Sequence, residues 1–114
     1  MMRMLAGALA PVLFLFLACS TGSAPESEET LMKSGLDALY TRHEPDAAAA
    51  RFRKVLELNP THYGATYQLA AALDAAGKKD EARPLWEKVL QMADRYNDQS
   101  TARTARDRLA PGQP

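Results

Sequence analysis

The feature that most constrains this chain is a set of residues that recurs 34 positions further along the sequence. Residues 48–56 and residues 82–90 carry identical or chemically similar side chains at five matched positions. The pairs are Ala48 with Ala82, Phe52 with Trp86, Lys54 with Lys88, Val55 with Val89 and Leu56 with Leu90. A fixed period of this length is typical of a chain built from repeated units that stack on one another. The sequence therefore predicts a short repeat array.

The apolar residues within each copy are spaced as they are in an α-helix, because they recur every three or four positions. Upstream of the second copy, Leu69, Ala70 and Leu73 form a further amphipathic face. Gly77 follows it and can take the left-handed conformation that ends a helix. The unit is therefore a helix, a glycine turn and a second helix. Alanine-rich runs and only 7% aromatic residues also favour helix over strand, so an all-α fold is expected.

This unit resembles the tetratricopeptide repeat. The resemblance is carried by both copies, and Pro60 stands where that family places its terminating proline. It implies an α-α superhelix of two helical hairpins over residues 30–110, in which small residues let helices approach and large rings fill the gaps. The residues assigned to the repeat core are Ala48, Phe52, Val55, Leu69, Ala70, Leu73, Gly77, Ala82, Trp86 and Val89.

Five helices are expected, near residues 30–41, 45–58, 62–76, 80–96 and 100–110. The register of the first helix is open. Gly35 takes the small-residue position of the repeat only if the turn at residues 41–45 holds one extra residue; otherwise Leu36 takes it. The turn between the last two helices is expected at Asn97 and Asp98, with Ser100 as the N-cap of the final helix.

The final helix is expected to cover the last repeat as a cap, because two repeats alone leave one face uncovered. A partner protein that covers this face is the alternative. Three apolar residues are expected to face the repeats and three arginines to face water: Ala102, Ala105 and Leu109, and Arg103, Arg106 and Arg108.

The first eighteen residues have the layout of a signal peptide, with Arg3 followed by an apolar stretch from Met4 to Ala18 and then polar residues. A helix that crosses a bilayer needs roughly 20 apolar residues. Pro11 also interrupts this shorter stretch, so a permanent span is disfavoured.

Residues 16–19, Phe-Leu-Ala-Cys, resemble the lipobox of bacterial lipoprotein signal peptides, although a branched aliphatic residue is usual in place of Phe16 and a smaller residue in place of Leu17. The resemblance implies that residues 1–18 are removed and that Cys19 is lipidated. Ser20, which is not Asp, favours the outer membrane by the same resemblance. In the alternative interpretation, Cys19 ends an ordinary cleavable peptide or lies in an apolar anchor.

Residues 20–29 hold Ser, Thr, Gly, Pro and Glu with almost nothing to bury, so residues 19–29 are predicted to be the lipidated cysteine and a flexible tether. Residues 111–114 are predicted to be a disordered tail.

Little in the sequence indicates nucleic-acid binding, metal binding or catalysis. Fourteen Lys and Arg balance fourteen Asp and Glu, so no overall field attracts nucleic acid. His43 and His62 each stand before a helix without a second ligand four residues later, so no metal is expected. No phosphate-binding glycine loop and no nucleophile with a base are present, so neither catalysis nor a cofactor is expected.

A stack of such hairpins has a concave surface that resembles the peptide-binding groove of the tetratricopeptide family, lined by the first helix of each repeat. The resemblance assigns protein binding to Tyr40, Tyr67, Ala71 and Asp74, with Gly64 and Ala75 as further groove positions. Tyrosine is a good contact residue because it is large, stiff and amphipathic. In the alternative interpretation, the two tyrosines only complete the packing. The family's Asn and Lys clamp for a terminal carboxylate is not visible here.

The sequence therefore predicts a periplasmic adaptor, lipid-anchored to a bacterial membrane, with the outer membrane favoured. It would bind a protein or peptide partner of the cell envelope. A permanent structural or assembly subunit of an envelope complex is the main alternative. An enzyme accessory or small-molecule binder is a third class.

Overall fold

The computed structural model describes residues 26–111, and within this range it contains five helices and no strand. The helices are α1 (Glu28–Leu36, continued by a π-helical turn at Asp37–Thr41), α2 (Pro45–Leu58), α3 (Tyr63–Ala75), α4 (Lys79–Arg95) and α5 (Gln99–Leu109). Each helix packs mainly against its neighbours in sequence. The prediction of an all-α fold with two hairpins, α1 with α2 and α3 with α4, and a final helix is confirmed.

Several predictions fall outside the described residues. These are the signal peptide at 1–18, the lipidated Cys19, most of the tether and residues 112–114 of the tail. None of the helices in the described range has the length and apolarity that a membrane crossing needs.

The interior is built from large rings set against small residues. Phe52 is 0% exposed and Trp86 is 1% exposed, and the ring of Tyr67 meets Trp86 edge-on at 5.3 Å between centroids. Gly77 has a φ of +80° in the turn after α3, a backbone conformation that glycine adopts without strain. The other members of the repeat core are also buried: Ala48, Val55, Leu69, Ala70, Leu73, Ala82 and Val89.

The π-helical turn fixes the register of the first helix. Gly35 lies beneath Phe52, where an added Cβ would stand 2.6 Å from Phe52 Cε1, so Gly35 holds the small-residue position. The extra residue that the Gly35 alternative requires is not in the turn at residues 41–45, where that alternative put it. Instead the π-helical turn absorbs it, as shown by the backbone bond of 3.0 Å from the Arg42 N–H to the Asp37 carbonyl, five residues back.

The starts of α1, α3 and α5 are set by side chains that bind free backbone N–H groups. Ser27 Oγ accepts from the Thr30 N–H at 3.1 Å, so α1 starts at Glu28, two residues earlier than predicted and within the predicted tether. Asp98, not Ser100, caps α5, and its carboxylate accepts from the Thr101 N–H at 3.1 Å. The prediction of Ser100 as the cap is wrong because the helix already includes that residue. The remaining helix ends lie within one residue of those predicted.

Helix α5 has one apolar and one polar face. Ala102 and Ala105 are fully buried, whereas Arg103 and Arg106 are exposed. Arg108 departs from the prediction that it faces only water, because its guanidinium turns back onto α3 and α4. The polar outer face explains how this helix can end the array without exposing a large apolar surface.

Candidate functional site

Helices α1, α3 and α5 and the first residue of α4 contribute side chains to one face of the molecule. A cavity of about 360 Å³ lies on this face, and we call it the groove. The residues that line the groove are Leu39, Tyr40, Tyr67, Ala71, Asp74, Ala75, Lys79 and Arg108. The structure thus brings together the four residues that the sequence assigned to protein binding, and it adds Lys79 and Arg108, which the sequence interpretation missed.

A smaller cavity of about 190 Å³ lies beside the groove, and we call it the side cleft. Its lining includes Gly64, Gln68 and Thr101, and Tyr67 belongs to both cavities. The structure therefore places Gly64 in the side cleft and not in the groove. The two cavities share Tyr67 in their lining.

Tyr40 is the most accessible aromatic residue of the groove, with 56% of its surface exposed. It follows the first turns of α1 and lies in the π-helical turn. Its hydroxyl donates to Gln68 Oε1 at 2.8 Å, which joins α1 to α3 across the groove face. Partial burial raises the pKa of the Tyr40 phenol above its ordinary value, so the hydroxyl stays protonated and remains a donor at neutral pH.

Tyr67 has a second role besides lining the groove. Its ring is half-buried and lies edge-on to the Trp86 ring at an interplanar angle of 87°. This arrangement is favourable for two aromatic rings because the positive edge of one meets the negative face of the other. Tyr67 therefore contributes to packing, whereas the ring of Tyr40 is largely available to a partner.

Asp74 lies in the groove wall, but its carboxylate is occupied by the chain's own donors. Its Oδ2 accepts from Trp86 Nε1 and from Arg108 Nη1, both at 2.8 Å, and its Oδ1 lies 3.9 Å from Lys79 Nζ. The side chain is only 10% exposed. Asp74 thus joins α3 to α4 and α5 and is not a free ligand for a partner.

The position of Arg108 on the groove face could have been predicted from the sequence, but the sequence interpretation overlooked it. It stands 34 residues after Asp74, one repeat period, so the period itself places both residues on the same face. Its guanidinium carbon lies 5.5 Å from the centroid of the Trp86 ring, within reach of a cation–π contact. Lys79 had no comparable signal, because the first residue of a helix can point in several directions.

The histidines have structural positions. His62 Nδ1 accepts from the Ala65 N–H at 3.0 Å and so caps α3. His43 is exposed in the turn before α2, with a φ of 57°. Within residues 26–111, no group of three His, Cys, Asp or Glu side chains is arranged to hold a metal ion.

A comparison with known protein families agrees with the repeated helical hairpins of the structure. A family model described as tetratricopeptide repeat covers residues 39–107, which is more than half of the chain. No curated protein and no solved structure matches the sequence. The matched range runs from the groove residues of α1 into the last helix, and it includes both occurrences of the repeated residues. The chain therefore belongs to the tetratricopeptide repeat family, whose repeats mediate contacts between proteins.

Proposed function

We propose that this protein is a non-catalytic adaptor that binds a protein partner through the groove and is held to a bacterial membrane by a lipid on Cys19, on the periplasmic side. The observation that carries the binding role is the groove itself. It gathers Tyr40, Tyr67 and Ala71 from two helices into one concave surface, and it leaves the Tyr40 ring largely accessible. Exposed aromatic residues are enriched at the centres of protein interfaces.

The proposed location rests on the sequence before the helical domain. Residues 16–19 resemble a lipobox, and the eighteen residues up to Ala18 have the charge and apolar layout of a signal peptide. Acyl chains contribute about 0.8 kcal/mol per buried methylene, so more than one chain on Cys19 would anchor the protein stably. The residue after the cysteine, Ser20, favours the outer membrane by the same resemblance.

The binding role is tested by crosslinking in intact cells, followed by isolation of the protein with its crosslinked neighbours. The double variant Tyr40→Ala/Tyr67→Ala should lose the partner that the natural protein captures. Tyr96→Ala is the matched control, because Tyr96 is also 58% exposed but lies at the end of α4, outside the groove lining. Capture that persists in a folded double variant would show that the groove is not the binding surface.

The anchor is tested by Cys19→Ala in cells that also carry the natural protein. We expect the variant to remain unprocessed or to leave the membrane fraction, and to carry no acyl group by mass spectrometry. A variant that is processed and membrane-bound like the natural protein would contradict lipidation at Cys19.

Purification of the native protein in mild detergent distinguishes an adaptor from a permanent subunit. An adaptor should be recovered largely free of its partner. Stoichiometric co-purification with the same proteins in every preparation would instead favour a permanent subunit of an envelope complex.

A further inference from the structure

We infer that the groove binds an acidic segment of its partner, with a side-chain carboxylate of that segment bound by the solvent-facing donors that Lys79 and Arg108 do not use on Asp74. This inference rests on the proposed function and adds the chemistry of the bound segment. It follows from the charges that line the groove, from the state of each charged group and from the apolar surface beside them.

The groove is lined by two cations and one carboxylate, Lys79, Arg108 and Asp74. The Asp74 carboxylate is 10% exposed and already accepts two hydrogen bonds at 2.8 Å. It therefore neutralises about one positive charge without offering an accessible acceptor to a ligand. The lining therefore keeps a net positive charge, and the side chains of Lys79 and Arg108 that carry it are about half exposed.

Lys79 supplies the more available donor. Its ammonium lies 3.9 Å from Asp74 Oδ1, which is too long for a hydrogen bond, and 54% of its side chain is exposed. Within residues 26–111 the structure assigns it no hydrogen bond. An ammonium has three donors, so a carboxylate that enters the groove can bind it without displacing an internal partner.

Arg108 is held in place and still has donors to offer. One Nη donates to Asp74, and the guanidinium lies over the Trp86 ring, so its position is fixed by two contacts. A guanidinium carries five N–H donors, and 47% of this side chain is exposed. A fixed cation binds an anion with less loss of side-chain entropy than a freely moving one.

The surface beside these cations suits the rest of a peptide. Ala71 and Ala75 leave room between the helices, and the rings of Tyr40 and Tyr67 offer flat apolar area next to the charges. We therefore expect an acidic residue flanked by apolar or aromatic residues.

The test uses a library of random dodecapeptides displayed at the amino terminus of a phage coat protein, so that no bound peptide has a free terminal carboxylate. Peptides are selected on the natural protein, and individual peptides are then measured against variants by fluorescence anisotropy. We expect the selected peptides to be enriched in Asp and Glu at one position relative to the input library.

Lys79→Glu should weaken the binding of these peptides by about tenfold or more, because it places a like charge beside the carboxylate. Lys54→Glu is the matched control, since Lys54 is exposed on α2 and outside the groove lining, and it should leave binding unchanged. Binding to the natural protein should also weaken as salt is raised.

Two outcomes would overturn this inference, and they differ in what they imply for the proposed function. Peptides that depend on Tyr40 but carry no acidic enrichment, or that bind Lys79→Glu as well as the natural protein, would overturn this inference and leave the proposed function intact. A selection that yields no peptide whose binding depends on Tyr40 would overturn both.

Discussion

At the scale of single residues, the fold depends on a few side chains that serve two or three helices at once. Asp74 is the clearest case, because one carboxylate oxygen accepts from the Trp86 indole and from Arg108. The Trp86 ring is 1% exposed, and its N–H has the Asp74 carboxylate as its hydrogen-bond acceptor. A buried donor without a partner costs about 1–3 kcal/mol.

Asp74→Ala should therefore lower the free energy of unfolding by roughly 1–3 kcal/mol, measured by urea denaturation. Asp74→Asn keeps an acceptor for the indole and should cost less. Asp46→Ala is the control, since Asp46 pairs with Lys78 on the surface, and exposed ion pairs contribute little. Equal effects of Asp74→Ala and Asp46→Ala would contradict the assigned role of Asp74.

Gly35 shows a second dependence on one residue, because Phe52 packs directly on its backbone. Gly35→Ala places a Cβ 2.6 Å from Phe52 Cε1, and Phe52 is fully buried and has little room to move. Overpacking of this kind costs about 1–3 kcal/mol. Gly64→Ala is the matched control, because its nearest neighbour is at 3.4 Å and alanine favours a helix. Thermal unfolding should show a lower Tm for Gly35→Ala only.

The carboxylate of Asp98 makes the stability of α5 depend on pH. Hydrogen bonds from Thr101, through its hydroxyl and its N–H, and from the Tyr63 hydroxyl lower the pKa of Asp98 below its ordinary value. A lowered folded-state pKa stabilises the protein above the unfolded value, and that contribution is lost as the pH falls through the folded value.

The stability difference between the natural protein and Asp98→Asn should consequently be larger at pH 6 than at pH 3. Urea denaturation of both proteins at the two pH values measures it. A difference that stays constant, or grows in acid, would show that the Asp98 carboxylate is not the capping group.

At the scale of elements, the sequence predicts the helices well and their irregularities poorly. The period of 34 residues and the spacing of Phe52 and Trp86 fix two similar hairpins, because burial of a large ring against small residues constrains the register. The π-helical turn has no such signal. One inserted residue changes neither composition nor helix propensity, and only the packing of Gly35 decides where it is absorbed.

Deletion of Asp37 tests this interpretation of the π-helical turn. Removal of this exposed residue gives α1 the spacing that α3 has between Ala70 and Asp74, so Gly35 and Tyr40 should keep their places. We expect unchanged helix content by circular dichroism and a change in stability below about 1 kcal/mol, since only an exposed ion pair is lost. Deletion of Gln68 from α3 is the control. It rotates all later residues of that helix by about 100°, and it should unfold the protein.

For the groove residues too, the sequence predicts the positions on the helices but not the contacts of individual side chains. Tyr40, Tyr67, Ala71 and Asp74 follow from the repeat period and the resemblance, and the structure places them around one cavity. The sequence could not predict that the Asp74 carboxylate already accepts hydrogen bonds from Trp86 and Arg108. A helical wheel gives the face of Arg108 but not the direction of its long side chain, which here returns to Trp86.

At the scale of the whole molecule, each helix depends on the next, as is typical of repeat arrays. Removal of residues 98–114 would take away α5, with buried Ala102 and Ala105 and the Arg108 contact to Trp86. We expect this truncation to cost several kcal/mol, a large part of the 5–15 kcal/mol or so that stabilises a typical domain. Trp86 fluorescence should shift to longer wavelength. A truncated protein as stable as the full chain would show that α5 is not a cap.

The central claim is that a partner protein lies against the groove, and it is tested most directly by a photo-crosslinking amino acid placed at Tyr40 in intact cells. The same amino acid at Tyr96, which is equally exposed outside the groove lining, serves as the comparison. We predict a defined crosslinked product from position 40 and none from position 96. A product from position 96 alone, or none from position 40, would contradict this account of the protein.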